Sequence, residues 1–222
     1  MKDSFHLFGD ALLAYLHKDK TKFYFEDKQG NKYEQSVSGY FDKNKPFTKL
    51  ERKMISLSRG KILDVGCGTG GFIPHLSKKG DVLGIDISPS MIKICKERGF
   101  KNVKVADIFK FKPKNKYDTI LLLDENIGLV ETVNKAKKLL KKLSKLLAPN
   151  GKILANAQEA GKKDYDVWEA RALWKKQHGP WFKWIKFNSR YLTKICNEQG
   201  LRAQIIERDG VRYIVKITHR QK

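Results

Sequence analysis

A run of glycines after an apolar segment could bind a nucleotide-like cofactor. Residues 61–65 are typical of a buried strand, and Gly66, Gly68 and Gly71 follow directly. Glycines at the carboxyl end of a strand permit a tight turn and the close approach of a ligand before a helix begins. The spacing therefore predicts a cofactor site at this turn.

Three acidic residues refine the chemistry of that site. Asp64 stands two residues before the first glycine, and Asp86 follows 22 positions later, at the end of the next predicted strand. Asp86 is placed to accept both hydroxyls of a ribose. Asp107, with Ile108 beside it, ends the third predicted strand and could bind the exocyclic amine of an adenine. The glycines also fit the dinucleotide pattern G-x-G-x-x-G, but Asp64 favours a ligand that carries an ammonium and a sulfonium over one that carries a pyrophosphate.

On these residues, the chain resembles the class I S-adenosylmethionine-dependent methyltransferases over about residues 55–222. The resemblance implies an α/β fold with a Rossmann-like, mostly parallel sheet, a C-terminal antiparallel hairpin and helices on both faces. It also implies S-adenosylmethionine as the cofactor, with the methionine part near Asp64, the ribose on Asp86 and the adenine at Asp107. The full set of predicted cofactor-binding residues is Asp64, Gly66, Cys67, Gly68, Gly70, Asp86, Ile87, Met91, Asp107, Ile108 and Asp124.

The segment after the fourth predicted strand of this domain, 118–123, would carry the acceptor chemistry. Enzymes that N-methylate adenine or glutamine carry an Asn/Asp-Pro-Pro-Tyr-like motif at this position, and its absence here disfavours those activities. Cytosine C5 methylation needs a cysteine nucleophile, and Cys67, Cys95 and Cys196 all lie elsewhere in the sequence.

A closer resemblance, to a prokaryotic branch of largely uncharacterised methyltransferases, runs through residues 40–41, 126–129 and 179–182. We predict Glu125, Asn126 and Tyr40 as the catalytic candidates, with residues 40–41 folding over the cofactor. Glu125 replaces an asparagine of that branch. It would either take a proton from the nucleophile or hold an amine, or merely cap the helix that follows.

The elements that position these residues follow from the patterning. From residue 61 the chain alternates strands and helices, which is typical of a parallel sheet covered by helices. The predicted strands lie at about 61–65, 81–85, 102–106, 118–123 and 152–157. The predicted helices lie at about 71–78, 89–98, 131–147 and 188–199, before a hairpin at 201–207 and 211–218. In front of this core we predict a helical and hairpin cap over residues 1–49, so the methyltransferase domain would span 50–222.

A lid insertion is expected at about 158–187, and it contains all four tryptophans. Tryptophans interleaved with lysines could stack nucleobases between cations. They could equally pack the insertion onto the core, because residues 181–187 have the composition of a strand.

The formal net charge of +22 points to polyanionic partners such as RNA. It could also reflect compositional bias, since lysine makes up most of the cations. The lysines of residues 135–145 alternate with apolar residues at helical spacing, so we expect them to line the solvent side of a helix.

We expect a cytoplasmic protein, because there is no apolar run of membrane-spanning length and no CxxC pair. We expect no metal and no membrane association, and the oligomeric state stays open. The predicted function is methyl transfer to a small-molecule acceptor. Two alternatives remain, which are methylation of structured RNA (tRNA or rRNA) and non-catalytic binding of S-adenosylmethionine.

Overall fold

The computed structural model describes residues 4–42 and 44–220. The predicted cap and domain also include residues 1–3, Lys43 and residues 221–222, which lie outside the described part. The helices are α1 (Ser4–Leu16), α2 (Lys49–Leu57), α3 (Ile73–Leu76), α4 (Pro89–Glu97), α5 (Val133–Leu146) and α6 (Ser189–Glu198). The strands are β1 (Phe23–Asp27), β2 (Lys32–Gln35), β3 (Gly60–Val65), β4 (Gly80–Asp86), β5 (Val103–Val105), β6 (Tyr117–Leu122), β7 (Leu147–Gln158), β8 (Tyr165–Trp174), β9 (Gln177–His178), β10 (Phe182–Phe187), β11 (Leu201–Asp209) and β12 (Arg212–His219).

A seven-stranded sheet forms the centre of the molecule, in the order β11-β12-β7-β6-β3-β4-β5. The five strands from β7 to β5 are parallel, whereas β12 pairs antiparallel with β7 and β11 antiparallel with β12. This topology confirms the predicted Rossmann-like sheet with its C-terminal hairpin. The carboxyl ends of β3, β4, β5 and β6 lie together at one edge.

Helices cover both faces of this sheet because the strand side chains alternate between them. Leu63 and Leu122 pack in one cluster with the apolar faces of α5 and α6. Ile62 and Leu121 point the other way and pack with residues of α2 and α3. The lysines of α5 lie mostly on its solvent side, as expected, while Leu140 and Leu143 are fully buried.

A second, antiparallel sheet joins the front of the chain to the insertion. Its order is β10-β8-β1-β2, with β9 on β8. In the pairing of β1 with β8, Phe25 lies opposite Ala172. Helix α1 packs between this sheet and α4, where Leu12, Phe23 and Ile94 share one buried cluster. The cap and the insertion are thus two parts of one layer.

Two predicted helices are shorter in the structure. The predicted helix at 71–78 is reduced to α3, which is a single helical turn. The helix predicted from residue 131 begins after Thr132, whose hydroxyl caps α5 by accepting from Lys135 N. Glu131 has φ +63°, which a right-handed helix excludes. Within the described residues, no helix combines the length and the apolar character that crossing a bilayer requires.

Candidate functional site

A cavity of about 690 Å³ lies between the carboxyl edge of the central sheet and the second sheet. The ends of β3, β4 and β6 and the segment after β5 supply its floor, and α1, β1, β10 and the segment before β10 supply its opposite wall. The position agrees with the general rule that ligands of open α/β sheets bind beyond the carboxyl ends of the strands.

The glycine turn after β3 has the backbone conformation that the sequence predicts. Gly66, Gly68 and Gly70 have φ values of +75°, +55° and +79°, which favour glycine. The amide of Gly68 donates to Asp86 Oδ2 at 3.0 Å, so the turn is tied to the end of β4. Asp86 Oδ1 accepts from Ser88 N at 2.9 Å. The carboxylate is therefore held in place at the cavity floor.

Residues of the two neighbouring segments extend this floor. Ile87 and Met91 follow Asp86 along the cavity, and Ile87 is 46% exposed. Asp107 and Ile108 line the cavity after β5. Asp107 Oδ1 accepts from Phe109 N at 2.9 Å, which fixes the local turn. The result is an apolar slot with the Asp86 carboxylate at one side and the Asp107 carboxylate at another.

Asp64 is buried beneath this floor. It is 1% exposed, and neither carboxylate oxygen has a hydrogen-bond partner among the residues that the structure describes. Burial, followed by the charges of Asp124 and Asp86, raises the pKa of Asp64 to about 7. Desolvation by the surrounding protein, and then the charge of Glu51, raises the pKa of Asp124 to about 6. An unpaired buried carboxylate is costly, so this cluster is arranged to receive positive charge.

The segment after β6 has an unusual backbone. Asp124 and Glu125 have φ values of +52° and +59°, which are uncommon for residues other than glycine. The amide of Glu125 donates to Asn156 Oδ1 at 3.2 Å, and its carboxylate pairs with Arg212 Nε at 2.8 Å. Asn126 Nδ2 donates to the carbonyl oxygens of Val65 at 3.2 Å and Gly66 at 3.1 Å. Consecutive strained residues occur preferentially at functional sites.

The structure brings most of the predicted residues to one cavity. The predicted residues that line it are Tyr40, Gly66, Gly68, Asp86, Ile87, Met91, Asp107, Ile108, Asp124 and Asn126. Four others do not line it. Asp64 lies beneath, as described, and Glu125 is turned to Arg212.

The two remaining predicted residues face the protein interior. Cys67 is 5% exposed, and its thiol neighbours Cys95 and the backbone of Gly84. A Cβ at Gly70 would lie 2.7 Å from the Phe100 ring, so this glycine also faces inward. Cys67 and Gly70 therefore hold the turn against α4 and do not form the side of the turn that faces the cavity.

Aromatic side chains form the wall opposite the acids. They come from both parts of the second sheet and from α1, and they are Phe5, Phe8, Phe25, Trp181, Phe182 and Trp184. Two cations contact the Trp181 ring, with Lys28 Nζ at 3.7 Å and the Arg171 guanidinium at 4.8 Å from the ring centroid. The two interpretations of the tryptophans apply to different residues. Trp174 packs as a buried side chain within the second sheet, whereas Trp181 is exposed at the cavity.

Tyr40 borders the cavity from the cap. Its ring packs edge-on against Phe8, with centroids 5.4 Å apart. It is 39% exposed toward the open cavity, yet desolvation by surrounding protein atoms and the charge of Asp124 raise the pKa of Tyr40 to about 12. Tyr40 is therefore a hydrogen-bond donor at neutral pH. Its neighbour Phe41 stacks on Tyr15 at 5.5 Å and lies outside the cavity lining.

Sequence reasoning missed several residues of the wall, most clearly Phe5, Phe8, Gln35, Glu131 and Lys135. The aromatic residues on one side of α1 carry a signal, because a helix with an apolar face must bury it somewhere. No local signal identifies the polar ones, since their place in the cavity follows from tertiary packing.

The residues present fit S-adenosylmethionine. The unpartnered Asp64 beside Asp124 matches a ligand with two positive charges. Asp86, held by two backbone amides, retains acceptor capacity for ribose hydroxyls. Asp107 with Ile108 offers a polar and an apolar contact for an adenine.

Comparisons with known proteins agree with this geometry. A family model described as a methyltransferase domain matches residues 56–205. A crystal structure of a SAM-dependent methyltransferase from Bacteroides fragilis, in complex with S-adenosyl-L-homocysteine, is 26% identical, with a TM-score of 0.87 over 99% of this chain and 97% of that chain.

Two curated relatives match shorter stretches. The chain is 39% identical over 97 residues to the ubiquinone biosynthesis O-methyltransferase of Pelagibacter ubique, covering 41% of this chain and 39% of that protein. It is 27% identical over 142 residues to the tRNA (carboxymethyluridine(34)-5-O)-methyltransferase of Arabidopsis thaliana, covering 63% of this chain and 35% of that protein. The matched region spans well under half of each relative.

Proposed function

The chain belongs to the family of S-adenosylmethionine-dependent methyltransferases that carry this methyltransferase domain, and from that premise we propose that it transfers a methyl group to a small-molecule acceptor bound in the cavity. The cofactor would lie along the carboxyl edge of β3, β4 and β5. The acceptor would lie between the segment after β6 and the aromatic wall.

One observation supports this proposal most strongly, namely the unpartnered carboxylate of Asp64 beneath the cavity floor. Its neighbours Asp86 and Asp124 are also acidic, so the site concentrates negative charge, and no described residue forms an ion pair with Asp64. A ligand with an ammonium and a sulfonium would relieve this unfavourable arrangement. A pyrophosphate-containing dinucleotide would worsen it.

S-adenosylmethionine, when bound, supplies an electrophilic methyl group on a sulfonium, which is already an excellent leaving group. The protein's own residues therefore have to align the acceptor and exclude water. Asn126 is held against the glycine turn by two hydrogen bonds and borders the cavity, so its amide can orient an acceptor. Tyr40 can donate a hydrogen bond from the opposite side. Glu125 is engaged by Arg212, which makes it a support for Asn126.

The dimensions and polarity of the cavity favour a small acceptor. A volume of about 690 Å³ must hold both the cofactor and the acceptor, and ordinary ligand pockets have about 300–1,000 Å³. The acceptor wall is mainly aromatic, with Gln35, Glu131 and Lys135 as its polar side chains. We infer an acceptor with an apolar or planar body and one nucleophilic atom near Asn126.

Labelled-methyl transfer tests the proposal. The protein is incubated with S-adenosylmethionine labelled in its methyl group and with cell extract separated into small-molecule, protein and nucleic-acid fractions. Label in the small-molecule fraction, lost in the Asn126→Ala variant, is the expected result. Label in none of the fractions, with intact cofactor binding, would support a non-catalytic binding protein.

Structured RNA is the second candidate acceptor. The net charge of +22 favours it, and one of the relatives is named as a tRNA methyltransferase. In the same experiment, label that appears in the nucleic-acid fraction and disappears on ribonuclease treatment would replace the small-molecule proposal with this one.

A further inference from the structure

A second concave surface lies beside the cofactor cavity, at the β5 edge of the central sheet. It has a volume of about 490 Å³, and Lys104, Lys110, Lys112 and Lys114 line it. Ala106 and Asp107 line both this surface and the cofactor cavity. The two concave surfaces therefore adjoin at the end of β5.

Helix α5 extends this lysine-rich surface. Lys142 Nζ donates to the Phe111 carbonyl oxygen, and Lys116 Nζ donates to the Lys145 carbonyl oxygen. These contacts hold the segment 110–116 against α5. Lys138, Lys142 and Lys145 recur at helical spacing, so they share one face of α5. We call the lysines of residues 104–116 and these three lysines of α5 the basic groove.

The basic groove carries a net positive charge. Within residues 4–42 and 44–220, none of its lysines forms an ion pair, whereas Lys135 pairs with Glu131 and Lys137 pairs with Glu198 on the neighbouring helix. Four of the residues that line the concave surface are lysines and one, Asp107, is acidic, so positive charge dominates. A concave surface dominated by one sign of charge focuses the electrostatic field and attracts ions of the opposite sign. Its ligand should therefore carry several negative charges.

The groove is also continuous with the mouth of the cofactor cavity. Lys135 lies one further turn along the same face of α5 and lines that cavity. Phe109 lies in the chain between the groove lysines, is 44% exposed and also lines the cofactor cavity. An exposed ring beside a basic track is the arrangement that binds a nucleic-acid strand, with phosphates on the lysines and a base on the ring.

We propose that the basic groove binds the phosphodiester backbone of a single nucleic-acid strand on the surface that adjoins the cavity mouth. A strand suits the groove because its phosphates repeat along a line, as the lysines do along β5, the segment 110–116 and α5. An anionic membrane is flat and would not enter a concave surface. The proposal does not depend on the identity of the methyl acceptor.

Binding of fluorescently labelled poly(U), measured by anisotropy over a salt series, tests the proposal. The test variant carries Lys110→Glu, Lys112→Glu and Lys114→Glu. Each phosphate contact contributes about 0.7 to the slope of log K against log salt on a single strand, so the slope should fall by about 2. Affinity at physiological ionic strength should fall at least about tenfold.

The matched control reverses three exposed lysines elsewhere, at Lys78, Lys79 and Lys96, which changes the net charge equally. The first two follow α3, and the third lies on α4. The control should keep the affinity and slope of the unmodified protein, and both variants should keep its melting temperature and its affinity for S-adenosylhomocysteine.

Three results would overturn the proposal. The first is an equal loss of poly(U) affinity in both variants. The second is no poly(U) binding by the unmodified protein at physiological ionic strength. The third is binding to vesicles of anionic phospholipid that depends on the same three lysines while poly(U) binding does not. Because these readouts measure binding and not methyl transfer, they separate this proposal from the proposed function.

Discussion

Asn126 lies directly against Gly66, and this contact is possible because Gly66 has no side chain. The amide nitrogen of Asn126 donates to the Gly66 carbonyl oxygen at 3.1 Å. A Cβ at Gly66 would lie 2.5 Å from the same nitrogen. The glycine turn after β3 and the segment after β6 are thereby locked together.

Gly66→Ala should break this contact. The substitution adds a clash to a residue with φ +75°, so we expect a loss of about 2–4 kcal/mol of stability. Calorimetry should show S-adenosylmethionine affinity reduced at least about tenfold. Gly71→Ala is the matched control in the same turn, because Gly71 has ordinary φ and a Cβ there would meet no described residue within 4 Å beyond its chain neighbours. Equal affinity in both variants would contradict the assigned contact.

Asp86→Ala tests the ribose assignment. Charge-assisted hydrogen bonds contribute about 1.5–3 kcal/mol, so affinity for S-adenosylmethionine should fall about tenfold to a hundredfold by calorimetry. Asp81→Ala, at an exposed position of the same strand, should leave affinity unchanged. If Asp86→Ala binds as tightly as the unmodified protein, Asp86 does not hold the ribose.

The parallel core could be predicted from the sequence because its signals are local. Each strand is a short apolar run that ends in a polar or glycine residue, and this pattern located β3, β4 and their carboxyl-edge residues Asp64 and Asp86. The second sheet could not be predicted as one layer. The pairing of Phe25 with Ala172 joins distant parts of the chain, and no local pattern reports it.

The direction of individual side chains also could not be predicted from the sequence. The motif predicts a turn at residues 66–71, but the direction of each side chain depends on backbone torsions. Cys67 therefore turns inward, although its neighbours line the cavity. Glu125 likewise follows Asp124, but consecutive left-handed conformations turn it to Arg212 and leave Asn126 facing the cavity.

Ligand affinity should depend on pH through Asp64. The pKa of Asp64 is raised to about 7, and a cationic ligand binds best when this carboxylate is ionised. Affinity for S-adenosylmethionine should therefore fall as the pH is lowered from about 8 to about 5.5. Asp64→Asn should lower the affinity at about pH 8 at least about tenfold and weaken this dependence, leaving the part that comes from Asp124, whose pKa is raised to about 6. A variant with the unmodified pH profile would argue against Asp64 as the group responsible.

The same substitution should have the opposite effect on stability. A carboxyl whose pKa is higher in the folded than in the unfolded state loses stability as the pH rises from about 4 through about 7. The pKa of Asp64 is about three pH units higher in the folded state, which corresponds to about 4 kcal/mol of lost stability when the carboxyl is ionised. An unpaired amide in its place retains a burial cost of about 1–3 kcal/mol. Without ligand at about pH 8, Asp64→Asn should therefore be about 1–3 kcal/mol more stable in urea. Asp81→Asn should show neither effect, and a destabilised Asp64→Asn would indicate that Asp64 has an ionic partner.

Trp181→Ala should separate acceptor binding from cofactor binding. Trp181 lines the cavity at its rim, and removing an aromatic contact costs about 0.5–1.5 kcal/mol beyond its buried area. The initial rate of label transfer to the small-molecule fraction should fall about tenfold, with cofactor affinity unchanged. Tyr165→Ala is the control, since Tyr165 is similarly exposed on β8 but outside the cavity. Equal rates in the two variants would remove Trp181 from the acceptor wall.

A crystal structure of the complex with S-adenosylhomocysteine tests the central claim most directly. We predict that the ligand lies in the cavity beyond β3, β4 and β5, with its ribose hydroxyls on Asp86, its adenine at Asp107 and its ammonium nearest to Asp64. A structure at saturating ligand concentration that shows this cavity empty, or the ligand bound elsewhere on the protein, would contradict the account.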